Sequence, residues 1–136
     1  MPTKDFIFLP INNNSNPNKA LGGTHWSTLM YWRKTNTFYH FDSMNDANQS
    51  IAMLVAKNIS KSVNAKNADF KSIETCQQQN SFDCGIYVIC VTEAIFSCLL
   101  ETCDKRDETM LMSIKQCVND ASTMTPNVVA AKRQWL

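Results

Sequence analysis

The chain is poor in the two residues that break regular structure, with three glycines and four prolines among 136 residues. That scarcity excludes collagen-like repeats and Gly/Pro-rich linkers, and 44% hydrophobic residues argue against a disordered tail. An excess of one charge is missing as well. Lys and Arg total 13 against 12 Asp and Glu, a net charge of +1 without a long run of either sign. Such a balance gives no electrostatic footprint for nucleic acid or an anionic membrane. No stretch reads as the roughly 18 consecutive apolar residues of a membrane span. The opening MPTKDFIFLPINN also lacks the charged and then apolar segments of a leader. The expectation is a soluble intracellular protein of the cytoplasm or nucleus, with neither nucleic acid nor membrane as partner.

Histidine is scarce too, at two residues, and no CxxC pair occurs. The six cysteines are Cys76, Cys84, Cys90, Cys98, Cys103 and Cys117. Without a secretory signal, and with three of them inside apolar helical patterns, they read as reduced thiols rather than a disulfide framework. The histidines lie in another part of the chain, so neither a metal site nor a cofactor is expected. By default each of these thiols is a small buried hydrophobe.

One cysteine keeps unusual company. In Gln77 to Tyr87, QQQNSFDCGIY, Cys84 stands between an acid and a glycine just ahead of the apolar run Gly85 to Leu100. That run is apolar nearly all round and reads as a central helix buried on most sides. Cys84 then opens a helix, where unpaired amides and the macrodipole favour a thiolate.

Upstream, residues 5 to 11 form a short β-rich run, and Asn12 to Gly23 is an asparagine-rich loop. Thr24 to Trp32 and Thr37 to Asp42 read as two strands of a hairpin. Arg33 to Asn36 reads as the turn between them; if the loop is Trp32 to Thr35, Tyr31 pairs with Asn36 and His25 stands directly opposite Asp42, on one face of the sheet. Asp46 to Val63 carries a helical stripe of Ile51, Leu54, Val55 and Ile59, and Phe70 to Ile73 reads as another short strand. Met110, Leu111, Ile114, Cys117 and Val118 mark a further helix, and Thr125 with Pro126 reads as the cap and first turn of a last one.

A thiol nucleophile needs a base, a group that fixes the base's tautomer, and donors for the developing oxyanion. His25 can take the proton of Cys84, Asp42 can hold the far ring nitrogen, and a glutamine of the Gln77 to Gln79 run can donate its amide. The Cys84 backbone N–H is a second donor. His40 competes for the base role, but it sits mid-strand among aromatic residues, whereas His25 follows the Gly22-Gly23 loop that a substrate backbone can approach. Asp42 reads equally well as a cap of the turn DSMND. Asp83 reads first as the N-cap of the central helix, because a carboxylate beside the nucleophile opposes the thiolate unless turned away. Trp26 reads as a core aromatic or a lid over the substrate groove, and Trp32 and Tyr39 read as core.

GGTHWSTLMYW, then FYHFDS, then QQQNSFDCGIYVICVTEAI resemble in order and spacing the ubiquitin-like-protein proteases, the sentrin-specific family of cysteine peptidases. FLPINNNSN and the closing TP with KRQW point within it to the branch acting on the neddylation modifier. The resemblance implies an α/β (α+β) papain-like architecture, with the nucleophile at the N-terminus of a buried helix and the histidine and aspartate on the sheet. It implies a catalytic set of Cys84 as nucleophile, His25 as base, Asp42 as orienting acid and Gln78 as oxyanion donor. Trp26, Gly23 and Asp83 fall on the substrate side, with Trp26 covering a channel that admits only a Gly-Gly tail.

The activity that the resemblance implies is that of a thiol isopeptidase. Such an enzyme cleaves after the Gly-Gly of a ubiquitin-like modifier, the neddylation modifier first, and frees it from conjugates such as cullins. A monomer without cofactor is expected. Nothing in the chain matches the family's N-terminal portion, whose Trp-Leu-Asn-Asp type motif supplies the channel's other wall. The expectation for residues 1–136 is therefore one N-terminally truncated peptidase domain, with apolar surface left exposed. The alternatives are an inactive modifier-binding fragment or pseudo-protease, and acyl transfer on the same triad.

Overall fold

The computed structural model describes residues 4–102 and 107–136; Cys103 lies outside them. Strands β1 (Phe6–Asn12), β2 (Trp26–Trp32), β3 (Thr37–Phe41) and β4 (Asp69–Ile73) form one sheet in the order β1-β2-β3-β4. β1 with β2 and β2 with β3 are antiparallel, whereas β3 and β4 run parallel. A parallel pair needs a crossover, and helix α1 (Gln49–Ile59) lies in it.

The two middle strands are almost wholly buried, which is why neither alternates polar with apolar residues. Successive side chains point to opposite faces. Leu29, Tyr31 and Phe38 cluster with Ala52 and Ala56 of α1. Met30, Trp32, Tyr39 and Phe41 cluster with Tyr87, Val91 and Ile95 of α2 (Cys84–Glu101). Helices α3 (Asp107–Cys117), α4 (Ala121–Met124) and α5 (Pro126–Arg133) complete that second layer through Ile114, Met124 and Val129. The sheet thus lies between two helical layers. Trp32 and Tyr39 belong to its core, as their sequence context indicates.

Several expectations need correction. In the hairpin Trp32 pairs with Thr37 and Thr28 with Phe41, so the ladder is shifted two residues from the register expected. Continued by one pair it sets Ser27, not His25, opposite Asp42. A two-residue shift conserves the face, so His25 and Asp42 become diagonal neighbours, still within reach of each other.

One member of the α1 stripe is misplaced as well. Ile51, Val55 and Ile59 pack half-buried against the core, but Leu54 is 57% exposed and the buried positions are Ala52 and Ala56, because small residues let the helix approach the sheet closely. Helix α2 is not buried on most sides. Its inner face carries Cys84, Tyr87, Cys90, Val91, Ile95 and Cys98, while Phe96 and Leu100 are exposed. Phe8, Leu9, Pro10, Val88, Ile89 and Phe96 line an open, almost wholly apolar groove of about 400 Å³ between β1 and α2.

Nor is the chain free of a segment with the length and composition of a membrane span. Helix α2 has 18 residues and a mean hydropathy of 1.7. Thr92, Glu93 and Ser97 interrupt its apolar run, so a count of consecutive apolar residues passes over it while its average does not. Here it packs against β2, α3, α4 and α5.

At the C-terminal end Thr125 caps α5, its hydroxyl accepting from Val128 N with Pro126 in the first turn. The short α4, capped by Asp120, has no counterpart in the hydrophobic pattern. Ile95 is fully buried where α2 meets the sheet. Ile95→Ala should cost about 2–5 kcal/mol of unfolding free energy; a loss below about 1 kcal/mol in urea titration would contradict this placement of α2.

Candidate active site

His25 precedes β2 and Asp42 follows β3, at the same end of the hairpin. Both are 2% exposed. The ring Nε2 of His25 lies 2.6 Å from Asp42 Oδ1. Its other nitrogen, Nδ1, is buried and makes no hydrogen bond, with Cys84 or any other group among the described residues. An imidazole tied to a carboxylate on one side and unpartnered on the other can accept a proton at the free nitrogen.

The carboxylate of Asp42 is itself held. Oδ1 also accepts from Met44 N at 2.9 Å, and Oδ2 accepts from Asn48 N at 2.8 Å. The turn-capping reading and the imidazole-orienting reading of Asp42 are both satisfied, by different lone pairs of one side chain.

Asn48, fully buried, ties the site together in a way its sequence position does not announce. Its backbone N–H reaches Asp42, while its side-chain Nδ2 lies 3.3 Å from Ile11 O, His25 O and Ser27 Oγ. The asparagine-rich loop holds His25 from the other side. Asn13 Oδ1 accepts from His25 N at 3.1 Å, and Asn12 Nδ2 donates to His25 O at 3.2 Å. Gly23 serves this loop with φ +84°, and a Cβ there would come within 2.1 Å of Asn12 Oδ1. An L side chain is therefore excluded twice, by conformation and by space.

His40 is placed differently. Its Nε2 is 2.9 Å from Ser27 Oγ, and its Nδ1 is 3.7 Å from Asp46 Oδ1. Burial lowers its pKa from 6.5 against the opposing pull of Asp42 and Asp46. The neutral ring is a packed structural element of the sheet.

The segment leading to Cys84 is wired to the Asp42-Ser43 pair. Gln78 N donates to Ser43 O at 2.8 Å, and Ser43 Oγ donates to Gln78 Oε1 at 2.6 Å. Gln78 Nε2 donates one hydrogen to Asn80 O at 2.6 Å, which leaves its second hydrogen unassigned. Gln77 is fully engaged: Nε2 reaches Asp42 O at 3.0 Å and Thr75 O at 2.7 Å, and Oε1 accepts from Asn45 N at 2.6 Å. Gln79 is exposed. Of the three glutamines, Gln78 alone is both anchored and equipped with a spare donor.

Asn80 shapes the last turn before the helix. Its Oδ1 accepts from Phe82 N and Asp83 N, and its Nδ2 donates to Asp83 Oδ2 at 2.8 Å. Asp83 stands at the N-cap position of α2, but its side chain caps nothing. The carboxylate is turned back toward Asn80 and Arg133.

Cys84, 6% exposed, begins α2, whose first turn holds no acid and whose first amides lack intrahelical partners. At Gly85, the next residue, a Cβ would meet nothing within 4 Å. Trp26 is 43% exposed and hence not core; it borders a narrow crevice with Ser27, Thr28, Ser43, Tyr87 and Val88.

The five cysteines in the described residues are all free thiols. Burial pushes the pKa values of Cys76 and Cys90 up and, with Cys98 beside it, that of Cys117 up to about 11. Among the described residues no three His, Cys, Asp or Glu side chains gather in a metal-binding group. Asn48, Asn80 and Asn13 escape sequence reasoning because a buried asparagine bridging distant backbone has no local signature. For Asn80 alone, an Asx turn ahead of a helix start is a readable signal.

Residues 1–123 match the Ulp1 protease family, C-terminal catalytic domain, and the chain belongs to that family. It is 44% identical over 97 residues to human Sentrin-specific protease 8, a match spanning 70% of this chain and 45% of that protein. To NEDD8-specific protease 1 of Arabidopsis thaliana it is 37% identical over 119 residues, 86% of this chain and 53% of that protein. The chain spans about half the length of these relatives. The fold matches the yeast Ulp1 protease domain solved in complex with Smt3, the yeast ortholog of SUMO, with a TM-score of 0.53 and 22% identity. That match covers 91% of this chain and 54% of the other.

Two outcomes check this geometry. Asn48→Ala should lower unfolding free energy by about 1–3 kcal/mol, since it strands buried acceptors around His25; an unchanged denaturation midpoint would remove Asn48 from the network. For His40, the folded pKa lies below the unfolded 6.5, so the unfolded chain binds more protons as pH falls. The stability held by neutral His40 is full above pH 6.5 and declines as pH drops through 6.5 toward the folded value. His40→Gln should flatten that part of the stability–pH curve, and an unaltered slope would rule the assignment out.

Proposed function

We propose that this chain carries the reacting groups of a thiol isopeptidase that cleaves after the C-terminal Gly-Gly of a ubiquitin-like modifier, the neddylation modifier being the favoured substrate. The observation that carries the reading is the 2.6 Å contact of His25 Nε2 with Asp42 Oδ1, which leaves Nδ1 buried and unpartnered. The name of the Arabidopsis relative, NEDD8-specific protease 1, favours NEDD8 among the modifiers.

In this mechanism Cys84 Sγ attacks the glycyl carbonyl and its proton passes to His25 Nδ1. Asp42 holds Nε2 and offsets the charge of the imidazolium. Gln78 turns its spare amide hydrogen, and the Cys84 N–H its own, toward the oxyanion. Protonated His25 then gives its proton to the leaving lysine amine or peptide nitrogen. Water, activated by neutral His25, hydrolyses the thioester. Trp26 covers the Gly-Gly tail, and the open space at Gly85 admits it. Gly23 acts through Asn12, supporting the loop that the tail crosses, and Asp83 acts behind the nucleophile rather than on substrate. Conjugates such as cullins, a monomeric state and a cytoplasmic or nuclear setting complete the proposal.

A second reading rests on the absent bond at His25 Nδ1 and on the open apolar groove beside α2: a module that binds the modifier without cleaving it. Catalytic hydrogen bonds that are loose in a free enzyme tighten in its complex, which favours the first reading.

A modifier bearing a C-terminal electrophile distinguishes them. The expected result is a covalent adduct on Cys84 with the NEDD8 probe, lost in Cys84→Ala. In turnover assays Gln78→Ala should reduce kcat by about 10²–10³-fold. Calorimetric binding without an adduct would establish the non-cleaving module, and neither binding nor adduct would sink both.

A further inference from the structure

The turn that presents Cys84 contains a buried charge for which the reaction has no use. Asp83 is 1% exposed and immediately precedes the proposed nucleophile. Its Oδ2 accepts from Asn80 Nδ2, but Oδ1 is buried without a hydrogen bond. The guanidinium of Arg133, at the end of α5, lies 3.4 Å from that Oδ1, an ionic contact without hydrogen-bond geometry. The same group stands over the ring of Phe82, 4.9 Å from its centroid. One side chain from the last helix therefore touches both residues that lead into Cys84.

A carboxylate beside a thiol opposes formation of the thiolate, and a cation at that carboxylate offsets the opposition. The other ionisable groups around the turn do not supply that cation. On α2, Tyr87 is pushed up to about 12, first by burial and then by Cys76, Asp83 and Cys90, so it stays neutral. Burial pushes Cys76 and Cys90 up as well. Lys132, the neighbour of Arg133 on α5, is paired with Glu93. On the sheet side His25 and Asp42 are bound to each other. Among the described residues Arg133 is the one cation in contact with Asp83.

We propose that Arg133 is a positioning residue of the active site, cancelling the charge of Asp83 and fixing the Phe82-Asp83 turn that presents the Cys84 thiol. This rests on the reading of Cys84 as nucleophile. Arg133 is about half exposed, at 46% for its side chain, so water screens part of the effect.

The test is the pH dependence of Cys84 alkylation by iodoacetamide, followed by mass on the Cys84 peptide, which needs neither modifier nor turnover. Arg133→Met should raise the midpoint by about one pH unit or less. Arg133→Lys, which conserves the charge, should return most of it. In an Asp83→Asn background Arg133→Met should move the midpoint little, because no carboxylate remains to neutralise. Asp83→Asn alone removes the carboxylate that opposes the thiolate and that Arg133 offsets only in part, and should lower the midpoint, which keeps the proposal falsifiable if Arg133→Met fails to fold. A melting temperature that falls in Arg133→Met while the midpoint stays fixed makes Arg133 purely structural and overturns the proposal. A wild-type midpoint equal to that of an ordinary thiol contradicts the nucleophile reading instead, and the Arg133 shift is still measured against it.

Discussion

The site depends on how completely one buried carboxylate is used. Asp42 accepts from the ring of His25, from Met44 N and from Asn48 N, so two of its three partners are backbone amides that cannot swing away. A carboxylate with free lone pairs in a buried position would cost stability and could rotate off the imidazole. Here the turn Asp42–Asn48 closes around the side chain, and the helix crossing from β3 to β4 begins where the turn ends. The fold's crossover and the orientation of the imidazole are thus one structural fact.

From that carboxylate the constraint spreads in two directions. Asn48 passes it to the strand that carries His25, contacting His25 O and Ser27 Oγ. Ser43, the next residue along, passes it to Gln78 through one backbone and one side-chain bond, and Gln77 returns to Asp42 O. Three segments far apart in sequence are therefore positioned relative to one another by short polar links. The hydrophobic clusters above and below the sheet set the approximate placement, and the links set the angles. The difference between the adjacent glutamines has the same origin: one is consumed in building the loop, and its neighbour retains a donor.

Much of this is legible in the residues, for identifiable reasons. The middle strands declare themselves through long aromatic and β-branched runs, the central helix through its apolar length, and α5 through Thr125 and Pro126. His25 and Asp42 fall on one face even in the wrong register, because parity survives an error of two. The register itself is not legible. A four-residue turn at Trp32–Thr35 and one at Arg33–Asn36 differ by a displacement of one residue, and the three-dimensional ladder selects the second. Leu54 misleads because a helical stripe counts hydrophobicity, whereas the closest approach is made at small residues, Ala52 and Ala56, with Ile51, Val55 and Ile59 packed around them. The asparagines read as loop composition, yet Asn12, Asn13, Asn48 and Asn80 hold the site by bonds to backbone atoms. Backbone partners carry no residue identity, so such bonds leave no pattern to detect. Gln78 stands out through resemblance and not through spacing, and its bonding gives an independent physical reason.

Burial alone does not mark the special thiol. Cys84, Cys90 and Cys98 are each under a tenth exposed, and Cys76 and Cys117 only somewhat more. What separates Cys84 is its surroundings. Cys90, Cys98 and Cys117 lie further along helices and Cys76 lies against Met124 O, and burial pushes the pKa values of Cys76, Cys90 and Cys117 up. Cys84 begins a helix of 18 residues with no acid in its first turn. The acid just before that turn is drawn aside by Asn80 and Arg133. Space beside the next residue is open. A thiol that is shielded from bulk water and close to unpaired helix amides has the surroundings that favour a thiolate. The polar framework of the turn, Asn80 within it and Arg133 from α5, holds the Asp83 carboxylate away from the helix start that Cys84 occupies, a placement the aromatic core supports without setting.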